Sequence, residues 1–215
     1  MINKESKVRQ YCTFYLVRHG QTEWNIKKRM QGQKDSPLTD LGIKQAKELG
    51  KKFKNIHFDA VFSSDLLRAK RTAEIVVAEK KLAIITTKLL RERNFGQYEG
   101  YNWEKFYEKF NQSLKKYKKL TEDEYFRHKL EGVESDEEVV GRFITFIREI
   151  AVGYLGKQVM LVSHGGLIRV LLIHLGFGTR KELISGSVKN TAYVYFLSDG
   201  TDFIIKEVYG IEKTE

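Results

Sequence analysis

A chain of 215 residues with 41% hydrophobic and 31% charged residues has the length and balance of a globular protein, and can bury a core without disulfides or metals. The single cysteine, Cys12, excludes an internal disulfide, no apolar run approaches the roughly 20 residues that span a bilayer, and charges interrupt the amino terminus where a secretory signal is apolar. The cytoplasm is therefore the expected compartment, and a net charge of +10 favours an acidic partner: a phosphorylated metabolite, nucleic acid or an anionic surface.

Residues 1–12 read as a flexible polar arm. Residues 13–17 form an apolar run that stops at Arg18-His19-Gly20, the pattern of a buried strand whose carboxyl end faces a ligand. The loop beyond it carries Gln21-Thr22-Glu23-Trp24-Asn25 and Gln31-Gly32-Gln33. Pro37, the only proline, leads into a helix that Thr39 caps, with Ala46, Leu49 and Phe53 on its apolar face. A second strand at 58–62 is followed by Ser63-Ser64-Asp65, where a serine is expected to cap the next helix. That helix turns Leu66, Ala69, Ala73 and Val76 or Val77 inward. Arg68 falls in its first turn, beside free backbone N–H groups and the positive end of the helix dipole, a place that favours an anion.

A third strand at 82–87 precedes Arg91-Glu92-Arg93-Asn94-Phe95-Gly96-Gln97-Tyr98-Glu99-Gly100, whose charges and glycines read as a shaped loop. Residues 101–130 form an expected helical insertion or lid, rich in lysine with interleaved aromatics. The aromatics fall at helical spacing, which favours an apolar underside with solvated lysines above it over stacking on nucleic acid. Ser135 and Glu138 have the form of a capping box ahead of a strongly amphipathic helix. An apolar run at 158–163 then repeats the first design, ending in His164-Gly165-Gly166 before another helix. Segments 191–197 and 202–209 flank Ser198-Asp199-Gly200, a hairpin signal. The alternation predicts one α/β domain over 1–215. Its architecture is a three-layer sandwich: a mostly parallel sheet flanked by helices, the insertion over the site, and a C-terminal hairpin near a sheet edge.

Two strand ends delivering histidines, with arginines beside them, suit phosphoryl transfer. A neutral His19 can attack a phosphate ester, and Arg18, Arg68 and a nearby imidazolium would lower its pKa while binding phosphoryl oxygens. Glu92 is the carboxylate best placed to protonate a leaving alkoxide and then activate water. Glu99, its rival, looks like loop support.

These residues resemble the histidine phosphatase superfamily, in the branch that includes cofactor-dependent phosphoglycerate mutases and their phosphatase relatives. The matching pieces run in the family's order: Arg18 to Asn25, Gln31-Gly32, Ser64-Asp65 with Arg68 and Thr72-Ala73, Leu90 to Gly100, Glu134-Ser135 and Ser163-His164-Gly165. The resemblance implies His19 as phosphorylated nucleophile, Glu92 as proton donor, and Arg18, Arg68 and His164 as a phosphate pocket, with Asn25, Gln31, Gly32 and Gly165 as further binding positions. It implies no metal and no cofactor, and His57, His128 and His174 stand isolated as surface or core residues. The expected substrate is a small phosphorylated metabolite, acted on by a monomer or homodimer without nucleic acid or membrane.

Four functions remain distinguishable. The stretch between Glu92 and His164 is shorter than the resemblance implies for a phosphoglycerate mutase and lacks the paired arginines that it leads one to expect there, so both favour a phosphatase. A phosphate-sensing or protein-binding module has no need of Glu92. A nucleic-acid binder would show steep salt dependence.

Overall fold

The computed structural model describes residues 10–106, 108 and 119–214. Among these, six strands form one sheet: β1 (Cys12–Arg18), β2 (Ala60–Ser64), β3 (Ile84–Thr87), β4 (Gln158–Ser163), β5 (Val188–Ser198) and β6 (Phe203–Ile211). Their spatial order is β3-β2-β4-β1-β5-β6. The pairs β3·β2, β2·β4 and β4·β1 are parallel, whereas β5 runs antiparallel to both β1 and β6. The hairpin expected from Ser198-Asp199-Gly200 is thus the antiparallel margin of an otherwise parallel sheet.

Alternation along the central strands sorts the core into two layers. Phe14 and Leu16 of β1, with Val159 and Leu161 of β4, pack towards α5 (Asp136–Gly153) and α6 (Gly165–His174). Val17, Met160 and Val162 face the other way, towards α2 (Asp40–Lys52) and α3 (Leu67–Val76). Those two helices touch closely: a Cβ on Gly50 of α2 would stand 2.9 Å from the Val76 carbonyl. A small third cluster of Met30, Tyr98, Phe106 and Val133 sits beneath the start of the insertion, with Phe95 and Trp103 packed against it.

Local capping follows the sequence in two helices and departs from it in one. The Thr39 hydroxyl accepts the Gly42 N–H at the start of α2, and Ser135 with Glu138 forms a complete capping box at α5. Neither Ser63 nor Ser64 caps α3. Leu66 occupies the N-cap position, and the free N–H groups of Leu67 and Arg68 are met by the distant Asp35 carboxylate, at 2.6 and 3.4 Å. The serines arrive too early in the chain for that task; Ser64 instead accepts the Leu66 N–H.

Of the expected arm at 1–12, residues 1–9 lie outside the described residues, and its last residue belongs to a strand. Cys12 begins β1 and is fully buried, and burial, with Asp59 adding to it, pushes its thiol up to about 12, consistent with a packed residue. The strands at 58–62 and 82–87 begin two residues later than expected, at Ala60 and Ile84. Of the expected insertion, residues 103–106 are helical and α4 spans Glu122–Arg127; residues 107 and 109–118, which hold much of its lysine and aromatic pattern, lie outside the described residues. No helix among the described residues is long and apolar enough to cross a membrane.

Phe143 of α5 is fully buried against the sheet. Phe143→Ala is expected to cost about 3–5 kcal/mol of stability through lost burial and the cavity left behind, read as a lower urea midpoint with an unchanged slope. A loss within 1 kcal/mol would show that this layer repacks freely.

Candidate active site

The parallel register of β1 and β4 sets the site. Arg18 pairs with Ser163, and the His19 N–H donates to the Ser163 carbonyl at 3.1 Å, so the two strands end side by side. His19 and His164 follow immediately, with ring centroids 5.2 Å apart and both side chains buried. The chain can turn at this point because Gly20 passes against Gly42: a Cβ on Gly20 would lie 2.5 Å from the Gly42 carbonyl oxygen.

One hydrogen bond decides how the His19 ring presents itself. Nδ1 lies 2.7 Å from the Gly20 carbonyl oxygen, which can only accept, so Nδ1 carries the proton and Nε2 keeps its lone pair. Burial first, then the charges of Arg68 and Arg18, hold the His19 pKa well below 6.5. The ring is neutral at ordinary pH. The same causes act on His164, again with burial first and Arg68 next, and neither of its ring nitrogens has a hydrogen-bond partner. The imidazolium expected beside His19 is therefore corrected to a second neutral ring: a charge there would be buried among cations.

The arginines are held by backbone and carboxylate oxygens. Arg68 is 1% exposed; its Nη1 donates to the Lys34 carbonyl and Asp35 Oδ1 at 2.8 and 2.7 Å, and its Nη2 to the Gly32 carbonyl at 2.7 Å. Arg18 Nη1 donates to the Val188 carbonyl, and burial lowers its pKa to about 10, which leaves it charged. In both residues Nε is buried without a partner.

Glu92 approaches from the loop after β3 and meets the start of α6. Its carboxylate accepts the N–H groups of Gly166 at 2.8 Å, Leu167 at 3.1 Å and Arg93 at 2.8 Å. The fit requires Gly166, where a Cβ would fall 2.5 Å from Glu92 Oε1, while a Cβ on Gly165 would fall 2.9 Å from Arg18 Nε. Glu99 is a support, as expected: it accepts the N–H groups of Gln33, Lys34 and Phe95 and leaves room only for a glycine at position 32, whose φ is +55°.

Arg18, His19, Asn25, Gln31, Gly32, Arg68, Glu92 and Gly165 all line one cleft of about 310 Å³, with His164 directly behind His19. Asn25 closes a capping box with Thr22 at α1 (Glu23–Ile26) and accepts from Asn190 at 3.3 Å. Sequence reasoning missed Arg29, Phe95, Trp103, Gly166, Ser185, Gly186 and Val188, which complete the lining. Arg29 stood inside a loop already marked by its neighbours, and Gly166 beside His164-Gly165; residues 185–188 carried no signal. Among the described residues no group of three or more His, Cys, Asp or Glu is placed to hold a metal ion.

A neutral histidine presented by a strand end, flanked by buried arginines and sharing its cleft with a carboxylate, suits an enzyme class that binds an anionic group. Residues 14–209 match the histidine phosphatase superfamily (branch 1), and the chain belongs to that superfamily, on its phosphoglycerate mutase-like side. It is an enzyme of phosphatase or mutase type. A relative named uncharacterized phosphatase PhoE, from Bacillus subtilis (strain 168), is 33% identical over 163 residues, covering 76% of this chain and 77% of the relative. A 2,3-bisphosphoglycerate-dependent phosphoglycerate mutase from Methylocella silvestris is 34% identical over 179 residues, covering 78% and 83%. The solved structure of Bacillus stearothermophilus YhfR superposes with a TM-score of 0.80 at 28% identity, covering 93% of this chain and 97% of that one.

Both histidines stay neutral in the folded chain but take up a proton near 6.5 when unfolded. Below that pH the unfolded state binds more protons, so stability falls with falling pH, by up to about 1.4 kcal/mol per unit for each histidine. Urea midpoints measured between about pH 7 and pH 5 are expected to drop accordingly, and less steeply in His164→Gln. A flat profile would contradict the buried neutral pair.

Proposed function

We propose that the protein is a phosphatase that hydrolyses small phosphomonoesters through a phosphohistidine on His19. The observation that carries this reading is the His19 ring itself, with its Nδ1–H tied to Gly20 and its Nε2 lone pair left for a cleft that Arg18 and Arg68 also line. Nε2 attacks phosphorus as the ester P–O bond breaks, and the arginines balance the phosphoryl charge. Glu92 gives its proton to the leaving alkoxide. Its carboxylate then takes a proton from water, whose oxygen attacks phosphorus and breaks the P–N bond, returning both residues to their starting state.

In this reading Asn25 and Gln31 border the bound group, and Gly32 acts through its carbonyl, which orients Arg68. His164 adds a neutral polar ring beside the nucleophile. The positive charge that balances the phosphoryl group comes from arginines, so turnover is expected in the presence of chelator. A cleft of about 310 Å³ lies at the small end of the range for ligand sites, which supports metabolites over protein substrates. Trp103, in the described start of the insertion, lines the cleft.

The test is phosphate release from a panel of phosphorylated metabolites, with chelator, by wild type, His19→Ala and Glu92→Gln. His19→Ala is expected to abolish release, and Glu92→Gln to slow alkyl phosphates about 10²–10⁴-fold. Interconversion of 2- and 3-phosphoglycerate with a bisphosphorylated primer, faster than phosphate release, would reassign the protein as a mutase. Stoichiometric binding without turnover would make it a sensing module.

A further inference from the structure

Joined to Glu92 through its chain neighbour Arg93 is a charged cluster that the phosphoryl chemistry does not use. Its centre is Asp136, the first residue of α5, 2% exposed. Oδ1 accepts from Arg93 Nη2 and Oδ2 from Arg180 Nη1, the latter at 2.5 Å. Burial alone would raise the Asp136 pKa, but the two guanidinium groups outweigh it and hold the carboxyl below the usual carboxylate range. Asp136 is therefore ionised and clasped from two directions.

Each clasp leads somewhere. Arg93 is the chain neighbour of Glu92: its side chain also donates to the Glu134 carbonyl at 3.0 Å, and its own N–H holds Glu92 Oε1 at 2.8 Å. Arg180 comes from the loop after α6 and reaches α4 in the insertion. Its Nε stands 3.1 Å from Glu122 Oε2, an ion pair without hydrogen-bond alignment, and its guanidinium lies 3.7 Å above the Tyr125 ring. A continuous chain thus runs from α4 through Arg180, Asp136 and Arg93 to the Glu92 carboxylate.

We infer that Arg180 and Asp136 are positioning residues that tie the seating of α4 to the position of Glu92, so that the acid is correctly placed only when α4 is docked. This rests on the proposed role of Glu92 as proton donor. Glu92 sits on a loop, and small misplacement of a proton donor costs rate where the leaving group needs that proton. An alkoxide needs it. The 4-nitrophenolate anion, a stable leaving group, does not.

The experiment compares an alkyl phosphomonoester that the wild type hydrolyses with 4-nitrophenyl phosphate, in full-length wild type, Arg180→Ala and Glu122→Gln. In Arg180→Ala, kcat/KM for the alkyl ester, which reports transfer to His19 and departure of the alkoxide but not the later attack of water, is expected to fall about tenfold while kcat/KM for the aryl ester stays within about twofold. Glu122 is half-exposed at the far end of the chain of contacts, so Glu122→Gln keeps the fold and is expected to give a smaller loss of the same selectivity. Equal loss on both substrates, or no loss on either, overturns the inference and leaves the phosphatase reading intact. A wild type that hydrolyses neither ester overturns both.

Discussion

Everything in the cleft depends on burying Arg68. A guanidinium at 1% exposure is tolerated only because Asp35 and two carbonyls take up its Nη donors, and removing one partner of such a pair typically costs about 3–5 kcal/mol. The same carboxylate also caps α3, so one residue fixes both the helix and the arginine that the helix carries. Thr72 extends the arrangement by one turn: its hydroxyl donates to the Arg68 carbonyl and accepts the N–H of Gly20, next to the nucleophile. With the cation placed in this way, two neighbouring imidazoles have no neutralising anion of their own and remain neutral.

The two sides of the cleft are built by different means. On the histidine side, positions follow from sheet register and from close glycine contacts, and there is little freedom to move. On the Glu92 side the backbone is a loop, and its place is set by polar contacts. Arg142 donates to the carbonyls of Leu89 and Glu92 while pairing with Glu134, and Arg93 and Asp136 act alongside it. His19 and the arginines therefore share a rigid floor, whereas Glu92 belongs to a charged network that extends to α4.

How much of this could be read from the chain alone follows the same division. His19 and His164 were legible because apolar strands stopped abruptly at them, and Arg68 because it fell in the first turn of a helix. The sheet was legible from the strand and helix alternation. The partners of these residues were not. Asp35 lies 33 positions before Arg68, and Asp136 lies 43 after Arg93 and 44 before Arg180, distances over which no periodicity carries information. Neither aspartate carries a local signal, Asp136 standing in the first turn of a helix where acids are common. Ser185 and Gly186 reach the cleft only because Arg169 holds the Leu183 carbonyl and turns the loop after α6 back towards Arg18. Residues that act through strand ends and helix termini leave a local signature, while those that neutralise a buried charge are chosen by three-dimensional proximity. For that reason the chemistry of this cleft could be read before its electrostatic support.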